Sequence, residues 1–282
     1  MSLKYPLINV EEFAEKYSNK SHFLTPITSA QGSSTTAFYN VLAPNGLPKI
    51  LKHNNCDIIS ILLSGSGFFG IGDNVISAHP GDCGFVKKGT EHFFVNTSNE
   101  VSLMVGFFLG AKNINETGVE TSGSLKSKKF EIINDRNQIN HEKDGTIVNI
   151  KDVDQEKMDE TDGWKITDFR LPISTKNGSS STLFRARFMP GAVHKKHCHK
   201  NSDEIYFIIS GHGLAGAGSD RVEVHGGYFH FIPKGVEHWL YNLSNTKPLE
   251  VVGIYCDAGS VENTGYVYMG DVTTNDLNER TK

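Results

Sequence analysis

Little in this 282-residue chain points toward a nucleic acid, a membrane or a disulfide framework. Lysine and arginine (28) are outnumbered by aspartate and glutamate (32), for a formal net charge of −4, so the basic footprint of a nucleic-acid binder is missing. No apolar run approaches the roughly 20 residues of a membrane-spanning helix. The first residues show no basic stretch leading into an apolar core, so no secretory leader is expected and the cytoplasm is the expected location. Cysteine is scarce: Cys56, Cys83, Cys198 and Cys256 form no C-x-x-C pair, and reduced thiols are expected. No helix-turn-helix pattern is visible. Glycine, by contrast, is plentiful (28 residues). Many glycines flank apolar runs such as 58–63 and 205–209, which read as buried strands bounded by turns.

The chemistry-bearing residues are concentrated between Gly191 and Asn242. His197 and His199 are two apart, so on a strand both rings leave the same face. Glu204 follows beyond the polar turn Lys200-Asn201-Ser202-Asp203, placed to return on a neighbouring strand, and His238 follows a Pro233-x-Gly235 turn. Three imidazoles and one carboxylate form a mixed N/O donor set suited to one divalent first-row ion: iron, manganese, nickel or zinc. Most of the 12 histidines need no such role, but a His pair tied to a downstream Glu, a later His and spaced glycines is far more specific than an isolated H-x-H.

The two blocks, Gly191…His197-x-His199…Glu204…Gly211 and Gly227…Pro233-x-Gly235…His238…Asn242, match every specified position of the two signature motifs of the cupin superfamily, which this segment resembles. The resemblance implies an all-β jelly-roll barrel with His197, His199, Glu204 and His238 as ligands inside it. It leaves the reaction open, because one fold hosts many chemistries.

The rest of the chain contains a second copy. Gly65 and Gly211, Gly81 and Gly227, Gly89 and Gly235, and Asn96 and Asn242 all stand 146 residues apart, and Pro26-Ile27 returns as Pro172-Ile173. A constant offset from Pro26 to about Asn99 indicates two tandem barrels, a bicupin by resemblance. Even the lead-in returns, Ile8-Asn9-Val10-Glu11-Glu12 resembling Val148-Asn149-Ile150-Lys151-Asp152 at a shorter offset. Reading the ligands across the offset, His199 falls on His53 and His238 on His92, but His197 falls on Leu51 and Glu204 on Ile58. Two histidines alone are a poor divalent site, so the first barrel is expected to be structural, with Leu51 and Ile58 packing its interior.

The expected organisation is an N-terminal helical lead-in over 1–22, a first barrel with a degenerate site over 23–111, a connector over 112–162, a second, metal-binding barrel over 163–272 and a tail over 273–282. The lead-in pattern predicts a short amphipathic helix over 9–17 capped by Asn9. Within the connector, the apolar islands at 130–133 and 146–150 are suited to strands. Cys198, between two ligands, alternates away from their face.

Tyr206 shares the parity of Glu204 and is expected beside the metal, where its phenol is either a proton donor to substrate or an ordinary core tyrosine. Tyr206 and Glu204 are the candidate catalytic residues. Arg185 and Arg187 share a strand face, inward to pair with a substrate carboxylate or outward as surface charge. His194 and His230 are lesser candidates at the rim. The leading expectation is a metal-dependent, dioxygenase-like oxidoreductase acting on a small oxygenated or carboxylated molecule. The alternatives are an isomerase or lyase using the metal as a Lewis acid, and a non-catalytic small-ligand binder. An oxalate decarboxylase, by the resemblance, would carry metal in both barrels. Exposed sheet edges make a homodimer plausible.

Overall fold

The computed structural model describes residues 3–10, 21–45, 49–125, 129–158 and 166–281. They are mostly β-strand, and the chain divides into two compact units. One comprises the described parts of 12–152 together with 175–179, the other those of 1–11, 153–174 and 180–282.

Each unit is a jelly roll of two sheets. In the first unit one sheet runs Gly145–Asn149, Asp82–Val86, Ile58–Ser64, Ser102–Phe108, Thr36–Leu42, His22–Ile27. The facing sheet runs Val119–Ser124, Lys49–His53, Glu91–Asn96, Gly67–Ile71, Asn74–Ala78, Glu131–Ile132. In the second unit the corresponding sheets run Leu7–Asn9, Tyr228–Ile232, Glu204–Ser210, Leu249–Tyr255, Thr182–Phe188, Asp168–Ile173, and Asp220–His225, His212–Ala217, His238–Asn242, Val193–His199, Tyr266–Gly270. Alternating apolar side chains from both sheets line each interior. Both apolar islands of the sequence between the barrels form strands, Glu131–Ile132 and Gly145–Asn149.

The lead-in repeat has a structural meaning. Gly145–Asn149 precedes the second barrel in sequence yet pairs with Asp82–Val86 of the first unit. Leu7–Asn9 precedes the first barrel yet pairs with Tyr228–Ile232, the corresponding strand of the second unit. Each copy of the lead-in therefore completes the sheet of the other barrel. The helix expected over 9–17 lies from residue 11 onward outside the described residues, and Asn9 ends a strand. The one described α-helix is Thr274–Asn278, within the segment expected as a tail; it is capped by Thr273, whose side chain accepts from the Asp276 N–H.

The duplicated backbone repeats bond for bond around the motif glycines and asparagines. Gly89 and Gly235 adopt φ of +80° and +79°, a conformation that favours glycine, and each donates its N–H at 2.7 Å to the carbonyl of His53 or His199. Asn96 Nδ2 donates to Leu42 O at 2.9 Å and Glu100 O at 2.7 Å; Asn242 Nδ2 donates to Phe188 O and Lys247 O, both at 2.9 Å. The motif asparagine thus ties strand ends together in both barrels.

The interiors differ. The expectation of a packed first barrel is corrected: it encloses a cavity of about 240 Å³, against about 20 Å³ in the second. Leu51 and Ile58 border that cavity without filling it. The cause lies one residue pair deeper. Ser60 and Gly84 are cross-strand partners in the first barrel, and their counterparts at the 146 offset, Tyr206 and His230, are cross-strand partners in the second. A hydroxymethyl and a hydrogen stand where the second barrel holds two rings.

Candidate metal centre

His197 and His199 project from the last turn of the pleat in Val193–His199, Glu204 opens the strand Glu204–Ser210, and His238 opens His238–Asn242. His197 and His238 are direct cross-strand partners, their ring centroids 4.0 Å apart. The polar turn between the ligand strands is held by Asp203, whose Oδ1 accepts from Lys234 N at 2.8 Å and whose carbonyl accepts from Cys256 N at 2.9 Å. The turn therefore positions both Glu204 and the loop before His238. All four side chains are buried, and their donor atoms lie within 4.8 Å of one another.

Donor chemistry tests whether these residues fit a cation. His197 Nδ1 lies 2.7 Å from Lys195 O, and His238 Nδ1 lies 2.9 Å from Val236 O. A carbonyl oxygen only accepts, so each Nδ1 carries a proton and each ring turns its Nε2 inward. His238 Nε2 and His199 Nε2 both stand 3.1 Å from Glu204 Oε2. Lone pairs face to face at that separation repel unless a proton or a cation lies between them. Two donors each about 2.1 Å from one ion, at right angles, stand about 3 Å apart. The set fits a divalent ion. Burial opposes ionisation of Glu204, but the neighbouring His199 and His238 outweigh it and hold the carboxyl well below the usual carboxylate range. Burial and the surrounding imidazoles push His197 well below the ordinary histidine value, so it presents a neutral ring.

Tyr206 does point into the same interior, 4% exposed, with its hydroxyl 2.7 Å from His230 Nδ1. Burial, reinforced by Glu204, raises the phenol well above its usual value; burial lowers His230 to about 3. Both groups are neutral, and one hydrogen bond joins them. His194, discounted on sequence, stacks on His197 at 3.7 Å between ring centroids, and Tyr266 stacks on the same ring at 5.1 Å. His230 was legible as the residue two before Ile232 on an inward parity; Tyr266 was not, because its strand follows a loop without a motif. Arg185 and Arg187 face outward. Arg185 pairs with Asp168 at 2.6 Å and Glu250 at 2.9 Å, and Arg187 with Glu250 at 3.2 Å. Cys198 is buried and stands outside the ligand cluster.

With the barrels and the cluster in place, the cupin domain family is matched twice, over residues 38–108 and 184–255. The chain belongs to the cupin family. No curated protein matches it. Among solved structures, oxalate decarboxylase from Bacillus subtilis at pH 4.6 superposes with a TM-score of 0.69 at 13% identity, covering 95% of this chain and 79% of that one. A structure describing the substrate binding mode and reaction specificity switch of oxalate decarboxylase gives 0.67 at 13%, covering 98% and 81%. At such identities the likeness is one of fold: this is a two-barrel cupin. Among the described residues no helix is long and apolar enough to cross a membrane.

The first cupin barrel lacks the cluster. His53 and His92 remain, ring centroids 5.3 Å apart and nearly parallel at 25°, with Leu51 the cross-strand partner of His92, as His197 is of His238.

Proposed function

We propose that this cupin is a metal-dependent enzyme whose second barrel holds one divalent ion, iron, manganese, nickel or zinc, on His197, His199, Glu204 and His238, and transforms a small oxygen-bearing molecule there. The observation that carries this reading is the convergence of four buried donors, two of them with Nδ1 tied to a backbone carbonyl. When bound, the ion supplies open coordination positions for substrate and, in the oxygenase reading, for dioxygen.

The chain's own residues shape the rest. Phe169, Phe184, Phe188, Leu240 and Val251 wall a cavity of about 20 Å³, space for little more than a water-sized molecule, which favours a substrate of few atoms. No lysine or arginine lines it among the described residues. Carboxylate recognition by Arg185 or Arg187 is therefore not part of the proposal, and a neutral or metal-anchored substrate is favoured. Tyr206 and His230 are both neutral, and one hydrogen bond joins them. With the imidazole proton on Nδ1 that nitrogen donates to the phenol oxygen and leaves the phenol O–H free to donate to substrate; with it on Nε2 the phenol donates to Nδ1 and its oxygen can accept. An apolar wall beside the ligands suits an apolar gas and supports the oxygenase reading. The Tyr206–His230 pair favours a second reading, an isomerase or lyase that moves a proton beside a Lewis acid.

Elemental analysis of protein purified without chelator is expected to give about one ion per chain, lost in His197→Ala/Glu204→Ala. Retention of the ion in that variant overturns the assignment. If the ion is iron, oxygen-uptake screening is expected to find turnover that Tyr206→Phe lowers by at least about tenfold without loss of metal. Zinc without oxygen uptake moves the assignment to the second reading; metal without any turnover moves it to the non-catalytic binder.

A further inference from the structure

The first barrel encloses the larger of the two barrel cavities, and its walls are specific. Rings from Phe38, Phe69, Phe94 and Phe108 surround about 240 Å³ of space. An apolar cavity of about 150 Å³ accommodates benzene, so this one has room for a larger aromatic molecule. Phe23, 44% exposed, and the exposed Lys49 are also among its lining residues, which places an opening at the surface. Against this apolar wall stand a few polar side chains: Asn40, Ser60, His92 and His53. His53 is 4% exposed, and its Nδ1 is buried with no hydrogen-bond partner. Burial, with His92 adding to it, lowers its pKa to about 4, so the ring is neutral near pH 7 and offers a hydrogen bond without a charge. His92 Nδ1 lies 3.1 Å from Thr90 O, which fixes it as donor and leaves its Nε2 as acceptor.

We propose that the first barrel is a second, metal-independent binding site, for a neutral aromatic alcohol or phenol of one or two fused rings, its ring among the phenylalanines and its oxygen at His53 and His92. The loss of the metal ligands and the opening of the cavity are then one change of use. Leu51 and Ile58 replace donors by apolar wall, and Ser60 and Gly84 clear the space that Tyr206 and His230 occupy in the other barrel. Polar groups that are few and fixed against a largely apolar wall are the usual makeup of a small-molecule pocket. The proposal does not depend on the activity of the second barrel.

The test uses the full chain and 2-naphthol, followed by calorimetry and by ligand fluorescence. One equivalent is expected to bind per chain, with naphthalene and 2-naphthoate weaker by about tenfold, the first for want of the hydroxyl and the second for its charge. Ser60→Tyr/Gly84→His copies the filled pair of the second barrel onto the same backbone and is expected to weaken 2-naphthol by at least about tenfold while metal content stays the same. Gly84→Ala is the gentle version, since its added carbon meets nothing nearer than Ser60 Oγ at 3.5 Å; a severalfold loss is expected. His53→Phe is expected to abolish the preference for 2-naphthol over naphthalene. His197→Ala/Glu204→Ala should leave binding unchanged. No binding by the wild type, binding that survives all three first-barrel changes, or binding lost with the metal ligands would each overturn the proposal.

Discussion

The two barrels share a backbone and differ in what fills it, both inside and out. Inside, one holds a His3Glu cluster and a cavity of about 20 Å³, the other two histidines and a cavity of about 240 Å³. Outside, the second barrel sets Lys196 and Arg221 around Asp276 of the C-terminal helix, at 2.7 and 2.8 Å. At the same positions of the first barrel stand Ile50 and Val75, buried with Phe93 and packed against Phe130 and Leu125. The duplication thus preserved what closes the chain on itself, the turn glycines and strand-end asparagines, and exchanged polar for apolar side chains at Leu51, Ile58, Ile50 and Val75 against His197, Glu204, Lys196 and Arg221. A fold set by backbone bonds tolerates that exchange; a metal site, which depends on every donor, does not.

The largest expected effect comes from reversing the exchange inside. Leu51→His/Ile58→Glu restores four donors in a register that already pairs position 51 with His92. Elemental analysis is expected to rise from about one ion per chain toward two. Without metal the same variant is expected to lose several kcal/mol in the first barrel. A carboxylate and a third imidazole are then buried where Leu51 and Ile58 stood, beside histidines that must take up protons to pair with the carboxylate. Metal-dependent recovery of the unfolding midpoint would show that the two barrels differ by ligands alone. A variant that folds and gains no ion would show that Ser60, Gly84 and Lys87, which stands where the second barrel has Pro233, have moved the backbone out of range.

Next is the outer face. Asp276→Ala strands Arg221 and Lys196 with their side chains only 10% and 18% exposed, and a loss of about 3 kcal/mol is expected in the second barrel. Lys196 precedes His197, so metal retention against chelator should fall with it. Hydrogen exchange resolved by segment should confine the loss to the second unit. A first unit that loosens equally would overturn this independence.

These contrasts also show what was legible in the amino-acid sequence. The barrels, their number and the ligand cluster could be read because they rest on backbone-determined spacing: an H-x-H parity, a turn glycine at φ near +80°, a repeat at one offset. The direction of Arg185 and Arg187 could not, because parity says which residues share a face and Asp168 and Glu250, far apart in sequence, decide which face is outside. The cavity escaped for a related reason. Leu51 and Ile58 read as filling, but the volume is set by Ser60 opposite Gly84, a pairing visible only once strand register is known. The exchange of lead-in strands was hidden altogether, since a repeated segment does not say which barrel it completes.

Acid should separate the barrels further. His53 is held to about 4 by burial, with His92 its titratable neighbour and Lys49 also on the cavity wall, whereas an unfolded histidine takes up its proton near 6.5. Between these values the unfolded chain binds more protons. The contribution of His53 is thus complete above about 6.5 and lost as pH falls toward 4, for a total of about 3 kcal/mol. The measurement is the difference in pH-dependent stability of the first barrel between wild type and His53→Phe, which cancels the carboxylates titrating in the same range. Parallel curves would mean that His53 is solvated and that the cavity wall is not apolar around it.

The smallest effect tests the shared part of the comparison. If the motif asparagine ties strand ends and has no part in metal binding, Asn96→Ala and Asn242→Ala should cost the same. Each removes two donor bonds to buried or part-buried carbonyls and an acceptor for the N–H of Ser98 or Ser244 at 2.9 Å. About 2 kcal/mol is expected in either barrel, because the carbonyls left behind are partly or fully cut off from water. Metal content should be unchanged in Asn242→Ala. An ion lost from that variant, or an Asn96→Ala that costs nothing, would break the symmetry and place the asparagine with the ligands; equal costs with the ion retained place it with Gly89 and Gly235, among the residues that make a barrel whatever it holds.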